Sequence, residues 1–223
     1  MRLTSICVAA LFAAASADAL SARQTERPAT EVASALQAKY DTIRDFSADF
    51  VHSYEGGILK KNLSERGVVH VKKPGKMRWD YQAPQKKLFV SDGRQMFLHE
   101  VSANQVTVFA VPAADQAATA VLFLAGKGNL TRDFTVAYGE GGAADTYSLT
   151  LTPRIPERDY ESLTVVVDRA SLQIRSLSAL DGQGGRSTFR FSNFKENVGL
   201  ADKLFTFKIP RGADVIRGDS SAH

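Results

Sequence analysis

From about Asp45 to Phe194 the chain is a long succession of short segments with apolar side chains at every second position, parted by turn residues. Successive side chains of a strand point to opposite faces of a sheet, so this period commits the chain to β-structure with one buried face. The stretch VKKPGKMRWDY (71–81) shows it most clearly. Met77, Trp79 and Tyr81 share one parity, with Lys76, Arg78 and Asp80 between them, just after a Lys-Lys-Pro-Gly corner. Phe46, Ala48, Phe50, His52 and Tyr54 repeat the pattern upstream. Ser91-Asp92-Gly93 ends KKLFV as a hairpin signal, and Ser102-Ala103-Asn104 separates QMFLHEV from QVTVFAV. Connections this short join antiparallel neighbours, because a parallel pair needs a crossover of a dozen residues or more.

Strand signals resume in DFTVAY, TYSLTLT, SLTVVVD, LQIRSLSAL and STFRFSNF and close with LFTFKIP. That makes about ten or eleven strands, more than a flat sheet holds without curling. Two helical patterns interrupt them. The first starts at about Thr30, read as its cap, and places Val32, Leu36, Tyr40 and Ile43 on one face. The second, PAADQAATAVLFLAGKG, has Pro112 early and Gly126 past its end, with Val121, Leu122, Phe123 and Leu124 concentrated in its last turn. The expected architecture is α+β: one strongly curved antiparallel sheet with helices across its concave side. Pattern alone leaves open whether that concavity is a packed core or a lidded pocket.

The ends and the composition narrow the setting. MRLTSICVAALFAAASADA has a single early cation, an apolar run and small residues, the order of an export signal cleaved after Ala17 or Ala19. The run is shorter than the roughly 20 residues of a membrane helix, so a soluble exported domain is expected. Residues 20–29 read as a polar linker, 30–217 as one domain and 218–223 as a tail. Cys7, the one cysteine, falls in the signal, which leaves no disulfide, thiolate ligand or cysteine nucleophile. The formal charge of +4 is spread over Lys60-Lys61, Lys72-Lys73 and Lys86-Lys87, read as solvated strand ends rather than a nucleic-acid surface.

A search for catalytic chemistry finds no constellation. His52, His70, His99 and His223 show no helical i, i+4 pair, and His99-Glu100 is the nearest approach to a metal signal. There is no Gly-x-Ser-x-Gly elbow. Gly182-Gln183-Gly184-Gly185 joins two strands and reads as a hairpin tip, and Glu157 and Asp159 lie in a polar loop. No enzyme, metal or cofactor is expected.

Taken together, GVVHVKKPGKMRWDY, LFVSDGRQMFLHE, NQVTV, the apolar LFLAG and LFTFKIPRGADV resemble, in order and spacing, the LolA family of periplasmic outer-membrane lipoprotein carriers. The resemblance runs from about Ser34 to Val215. It implies a half-open β-barrel with a helical lid and a hydrophobic cavity for lipoprotein acyl chains. It implies cargo received from an ATP-driven inner-membrane complex and delivered at the outer membrane, in some bacteria to a LolB receptor, by a carrier that uses no nucleotide; a monomer is the simplest expectation for a shuttle. Met77 stands where members often have an aromatic residue beside the cavity entrance, and Trp79 matches the family tryptophan. Lys73 takes the place of an arginine that helps hold the lid shut, with Arg78 as the other position for that contact or for a partner. The expected lining is Phe46, Phe50, Met77, Trp79, Phe89, Phe97, Leu122, Phe123 and Leu124. The alternative is a periplasmic domain on the same scaffold that senses lipid or lipoprotein, which a second domain after the sheet would favour.

Overall fold

A computed structural model describes residues 26–56, 62–111, 124, 126, 128–157 and 159–218. Helix α1 (Ala29–Thr42) leads into β1 (Asp45–Gly56), β2 (Leu63–Lys72), β3 (Lys76–Ala83), β4 (Lys87–Asp92), β5 (Gln95–Glu100) and β6 (Gln105–Ala110). A single turn, α2 (Leu130–Asp133), then precedes β7 (Phe134–Tyr138), β8 (Thr146–Pro153), β9 (Ser162–Asp168), β10 (Ile174–Leu180) and β11 (Gly185–Glu196). A 3₁₀ turn (Asp202–Phe205) and β12 (Asp214–Arg217) follow.

Among the described residues all twelve strands belong to one sheet in the order β12-β6-β5-β4-β3-β2-β1-β11-β10-β9-β8-β7. The central pair, β1 and β11, are the longest strands at 12 residues each. Two antiparallel meanders run outward from them, and β12 and β7 are left as unpaired edges, so the sheet is curved and unclosed. Register shifts at Ser47/Asp49, Arg66/Gly67 and Ile174/Ser176 add local bends. Gly67 shows why one bend needs its residue: a Cβ there would lie 2.0 Å from the Asp80 carbonyl oxygen and 3.0 Å from the Phe50 ring.

One apolar cluster occupies the inner face. Val32, Ala33, Leu36 and Tyr40 of α1 pack with Phe46 and Phe50, with Val69, Val71, Met77 and Trp79, and with Leu149, Leu163, Val165 and Leu177 of the other wing. The helical face expected at Val32, Leu36, Tyr40 and Ile43 is buried to 3% exposure or less. Each such side chain contributes about 1.5–3 kcal/mol on leaving water. A smaller cluster, Phe97, Val106 and Val108 against Phe207 and Ala213, lies on the outer face.

Three expectations are corrected. Among the described residues the sheet has twelve strands, against the expected ten or eleven or so. Thr30 does not cap α1; the helix begins a residue earlier behind Pro28, whose carbonyl accepts from Glu31 and Val32 N–H groups at 2.9 and 3.1 Å. LFTFKIP is not a strand: Leu204 and Phe205 end the 3₁₀ turn, and residues 206–210 cross the outer face, with Phe205 buried and Phe207 on Phe97. Its alternation reflects side-chain burial without a ladder partner, and the last strand, β12, pairs parallel with β6 further on. The expected second helix falls mostly outside the described residues, including Leu122 and Phe123; Leu124 is helical and buried, and Gly126 has a φ of 75°. Among the described residues no helix is long and apolar enough to cross a membrane.

Candidate functional site

Register decides what faces inward. Trp79 pairs with Val69 on one side and Phe89 on the other, Met77 with Val71 and Ser91, and Tyr81 with Gly67 and Lys87. The next strand continues the row, since Phe89 pairs with Leu98. Phe50 meets Trp79 and Tyr81 edge to face at 5.0 and 4.9 Å, and Phe189 from β11 meets Trp79 at 5.0 Å. Where these rings stop filling the concavity there is a hollow of about 250 Å3 walled by Trp79, Tyr81, Lys87, Phe89, Leu98 and Phe189.

The expected lining divides accordingly. Trp79 and Phe89 line the hollow. Phe46, Phe50, Met77 and Leu124 lie deeper in the main cluster at 0–2% exposure, where Phe46 stacks on Phe194 at 4.6 Å. Phe97 is brought to neither place. It pairs with Val90 on the outer face and meets Phe207 at 5.2 Å, because adjacent residues of a strand point oppositely. Tyr81, Lys87, Leu98 and Phe189 were not among the expected residues. Counting outward from the Asp92-to-Gln95 turn finds Leu98 opposite Phe89; nothing local signals Phe189.

The hollow has a charged rim. Lys87 Nζ lies 2.7 Å from Glu65 Oε1 and 4.3 Å from the centroid of the Tyr81 ring. Glu65 Oε2 is 3.0 Å from His52 Nδ1, and His52 Nε2 is 2.9 Å from Ser187 Oγ. His52 also stacks on Phe189 at 4.2 Å. Glu65 is only 7% exposed, and a carboxylate so deeply placed persists because both oxygens are engaged. Burial, with the Glu65 charge adding to it, pushes the Tyr81 phenol well up, so it stays protonated and able to donate.

At the other end, Lys73 ties α1 to the β2–β3 corner. Its Nζ donates to the Tyr40 carbonyl at the helix end and lies 3.9 Å from the Tyr40 ring centroid. Tyr40 Oη in turn donates to the Leu124 carbonyl at 2.6 Å. A Cβ on Gly126 would fall 2.4 Å from Lys73 Cδ, so the lysine stem runs hard against that glycine. Burial lowers the Lys73 pKa. The lysine pairs read as solvated are therefore corrected at Lys73 and Lys87, while Lys72 bridges Asp202 at 2.8 Å and Lys60-Lys61 lies outside the described residues. Arg78 takes no part in a latch: it faces outward, gripping Asp80 through two 2.8 Å hydrogen bonds and reaching the Leu204 carbonyl at 3.5 Å.

Comparison with known proteins places this geometry. The family model described as outer membrane lipoprotein carrier protein LolA matches residues 41–208. The outer-membrane lipoprotein carrier protein of Chromohalobacter salexigens is 30% identical over 193 residues, covering 86% of this chain and 90% of its own. That of Legionella pneumophila strain Corby is 28% identical over 186 residues, covering 83% and 89%. Among solved structures, an uncharacterized conserved protein from Thermus thermophilus superposes with a TM-score of 0.51 at 14% identity, covering 85% of this chain and 99% of that one, a likeness of fold alone. With three quarters of its length matched by that model and a carrier protein 30% identical over 86% of it, the chain belongs to the LolA family of outer membrane lipoprotein carrier proteins.

Proposed function

We propose that this protein is a periplasmic chaperone that shields the acyl chains of lipid-modified proteins on the inner face of its sheet during passage from inner to outer membrane. The observation that carries this reading is the aromatic hollow beside Trp79, continuous with a cluster covered by α1. Each methylene removed from water contributes about 0.8 kcal/mol, so ten methylenes give about 8 kcal/mol and a lipid anchor does not cross an aqueous gap unaided. The hollow alone is smaller than the roughly 300–1,000 Å3 of pockets that hold small molecules. A whole chain therefore requires α1 to move off the sheet.

Val32, Leu36 and Tyr40 of α1 would leave the main cluster, Gln37 Oε1 would lose the Leu130 N–H it accepts at 2.9 Å, and an acyl chain seated on the same face replaces the apolar burial. The hydrogen bonds from Lys73 to Tyr40 and from Tyr40 to Leu124 contribute about 0.5–1.5 kcal/mol each, well below what a long acyl chain supplies. Loading thus opens the site, and transfer into another apolar environment lets it close. Cargo comes from an ATP-driven releasing complex of the inner membrane and passes to an outer-membrane acceptor of the LolB type.

The test is incubation of the purified protein with ATP and inner membranes that hold the releasing complex and either a lipid-modified protein or its unmodified counterpart. A soluble one-to-one complex with the modified form only is expected. Equal recovery of both forms, or of neither, overturns the reading.

A further inference from the structure

The two ends of α1 are held in different ways. At its carboxyl end only Ile43 and Arg44 separate the helix from β1, and both are pinned. Ile43 is 3% exposed, the Arg44 N–H donates to Asn197 Oδ1 at 2.7 Å, and the Arg44 carbonyl accepts from the Lys73 N–H at 2.8 Å. At its amino end Glu26, Arg27 and Pro28 form a short strap fastened to the sheet by surface contacts. The Tyr138 hydroxyl at the end of β7 donates to the Arg27 carbonyl, and Arg169 Nη2 lies 2.9 Å from Glu26 Oε1. Arg169 is itself set in place. Its Nε donates to the Thr146 carbonyl at 2.9 Å, and its guanidinium lies 4.3 Å from the centroid of the Tyr147 ring.

Movement of α1 off the sheet therefore has a direction. Two residues of extended chain reach about 7 Å, so the carboxyl end cannot travel far from β1. Ile43 and Arg44 lie outside the helix, and rotation about their backbone bonds leaves the helical ladder intact. The strap contacts are the exposed ones: the Arg169 and Glu26 side chains are 40% and 53% exposed, where an ion pair is weak and screened by salt. We infer that α1 opens as a flap pivoting at Ile43 and Arg44, and that Tyr138 and Arg169 form the catch that holds the strap and releases it. Val32 and Leu36 then sweep furthest from the cluster and Tyr40 least. The Lys73 bond to Tyr40, one turn from the pivot, steadies the hinge. The surface uncovered first is that of α2 and β7, against which α1 lies.

This rests on the reading of the inner face as an acyl-chain site and adds the way in. The test is a pair of spin-label distances to a common reference at Arg190, exposed on the outer face of β11. Cysteine replaces Arg190 together with either Glu31 or Asp41, both exposed on α1; Cys7 falls in the segment read as an export signal, so the labels go to the introduced pair. Along the helix, position 31 lies about 18 Å from Ile43 and position 41 about 3 Å, so a pivot moves the first about six times as far as the second. Distances are measured before and after addition of a synthetic dipalmitoyl lipopeptide, whose binding is read in the same samples by co-elution on gel filtration. The lipopeptide is expected to lengthen the 31-to-190 distance by several ångströms and to leave 41-to-190 nearly unchanged. Equal shifts at both positions, a larger shift at 41, or binding with no shift at either overturns the flap and leaves the acyl-chain site standing, whereas absence of binding overturns both. In the unloaded protein Tyr138→Phe, which keeps the ring and deletes the donor, and Arg169→Gln are each expected to raise the ratio of long to short 31-to-190 distances about threefold. A distribution unchanged in both variants removes the catch from the account.

Discussion

Met77 is fully buried, packed between its strand partners Val71 and Ser91 in the main cluster, and not at the mouth of the hollow. A carboxylate there would have no cation to meet, so Met77→Glu is expected to cost at least about 3 kcal/mol of stability, and Met77→Leu under about 1.5 kcal/mol; chemical denaturation measures both. Leu98 is the better position for a charge. It is half-buried on the wall of the hollow, so Leu98→Glu should keep a near-native melting temperature while weakening acyl-ligand binding at least tenfold. A Leu98→Glu variant that binds normally would remove this wall from the site. Alternation put Trp79 on an apolar strand face, while naming it and Phe89 as lining came with the family resemblance. Phe97 was misassigned because a large ring in a strand satisfies either face, and only the offset from the turn decides between it and Leu98.

Among the elements, the hairpins were the most readable, since their turn chemistry is local. Asp92 Oδ1 accepts from the Arg94 and Gln95 amides at 2.7 and 2.8 Å, which is what a short acceptor at that position offers. The segment 202–217 was not readable, because its course over the outer face depends on Phe97 and on charges supplied by other strands. Lys72 and Lys76 lie 2.8 and 3.1 Å from Asp202 and hold its carboxyl below the ordinary 3.8. A carboxylate whose folded pKa is depressed stabilises above its unfolded value and loses that contribution as pH falls through the folded one. Acidification from about pH 5 to about pH 3 is therefore expected to lower amide protection in β12 relative to β5, after correction for intrinsic exchange, and Asp202→Asn to lower it at neutral pH. Equal protection in all three conditions would mean that packing on Phe207 alone holds the segment. The Gly67 bend is a second test at this scale: Gly67→Ala should cost about 1–3 kcal/mol, because the close Asp80 carbonyl has to move.

Across the whole molecule, two meanders hinged on β1 and β11 bring together residues that carry no signal separately. His52, Glu65, Lys87 and Ser187 come from four strands, and each alone reads as an ordinary polar strand residue. The same distance hides Phe189, while the curved sheet itself followed from counting strands. The latch also belongs to this scale, since Lys73 joins the β2–β3 corner to Tyr40 of α1 and Tyr40 in turn joins Leu124. Lys73→Ala is expected to raise binding of a hydrophobic dye to the unloaded protein, and unchanged dye binding would contradict a latch. The central claim is that acyl chains lie on the inner face, and neighbours in β4 separate the faces: Phe89 walls the hollow and Leu88 lines the outer groove with His70 and His99. The direct measurement is photocrosslinking to a lipid-modified cargo with a benzophenone amino acid at position 89 or 88. Acyl-chain adducts from position 89 and none from 88 are predicted, and adducts from 88 as frequent as those from 89 would contradict the account.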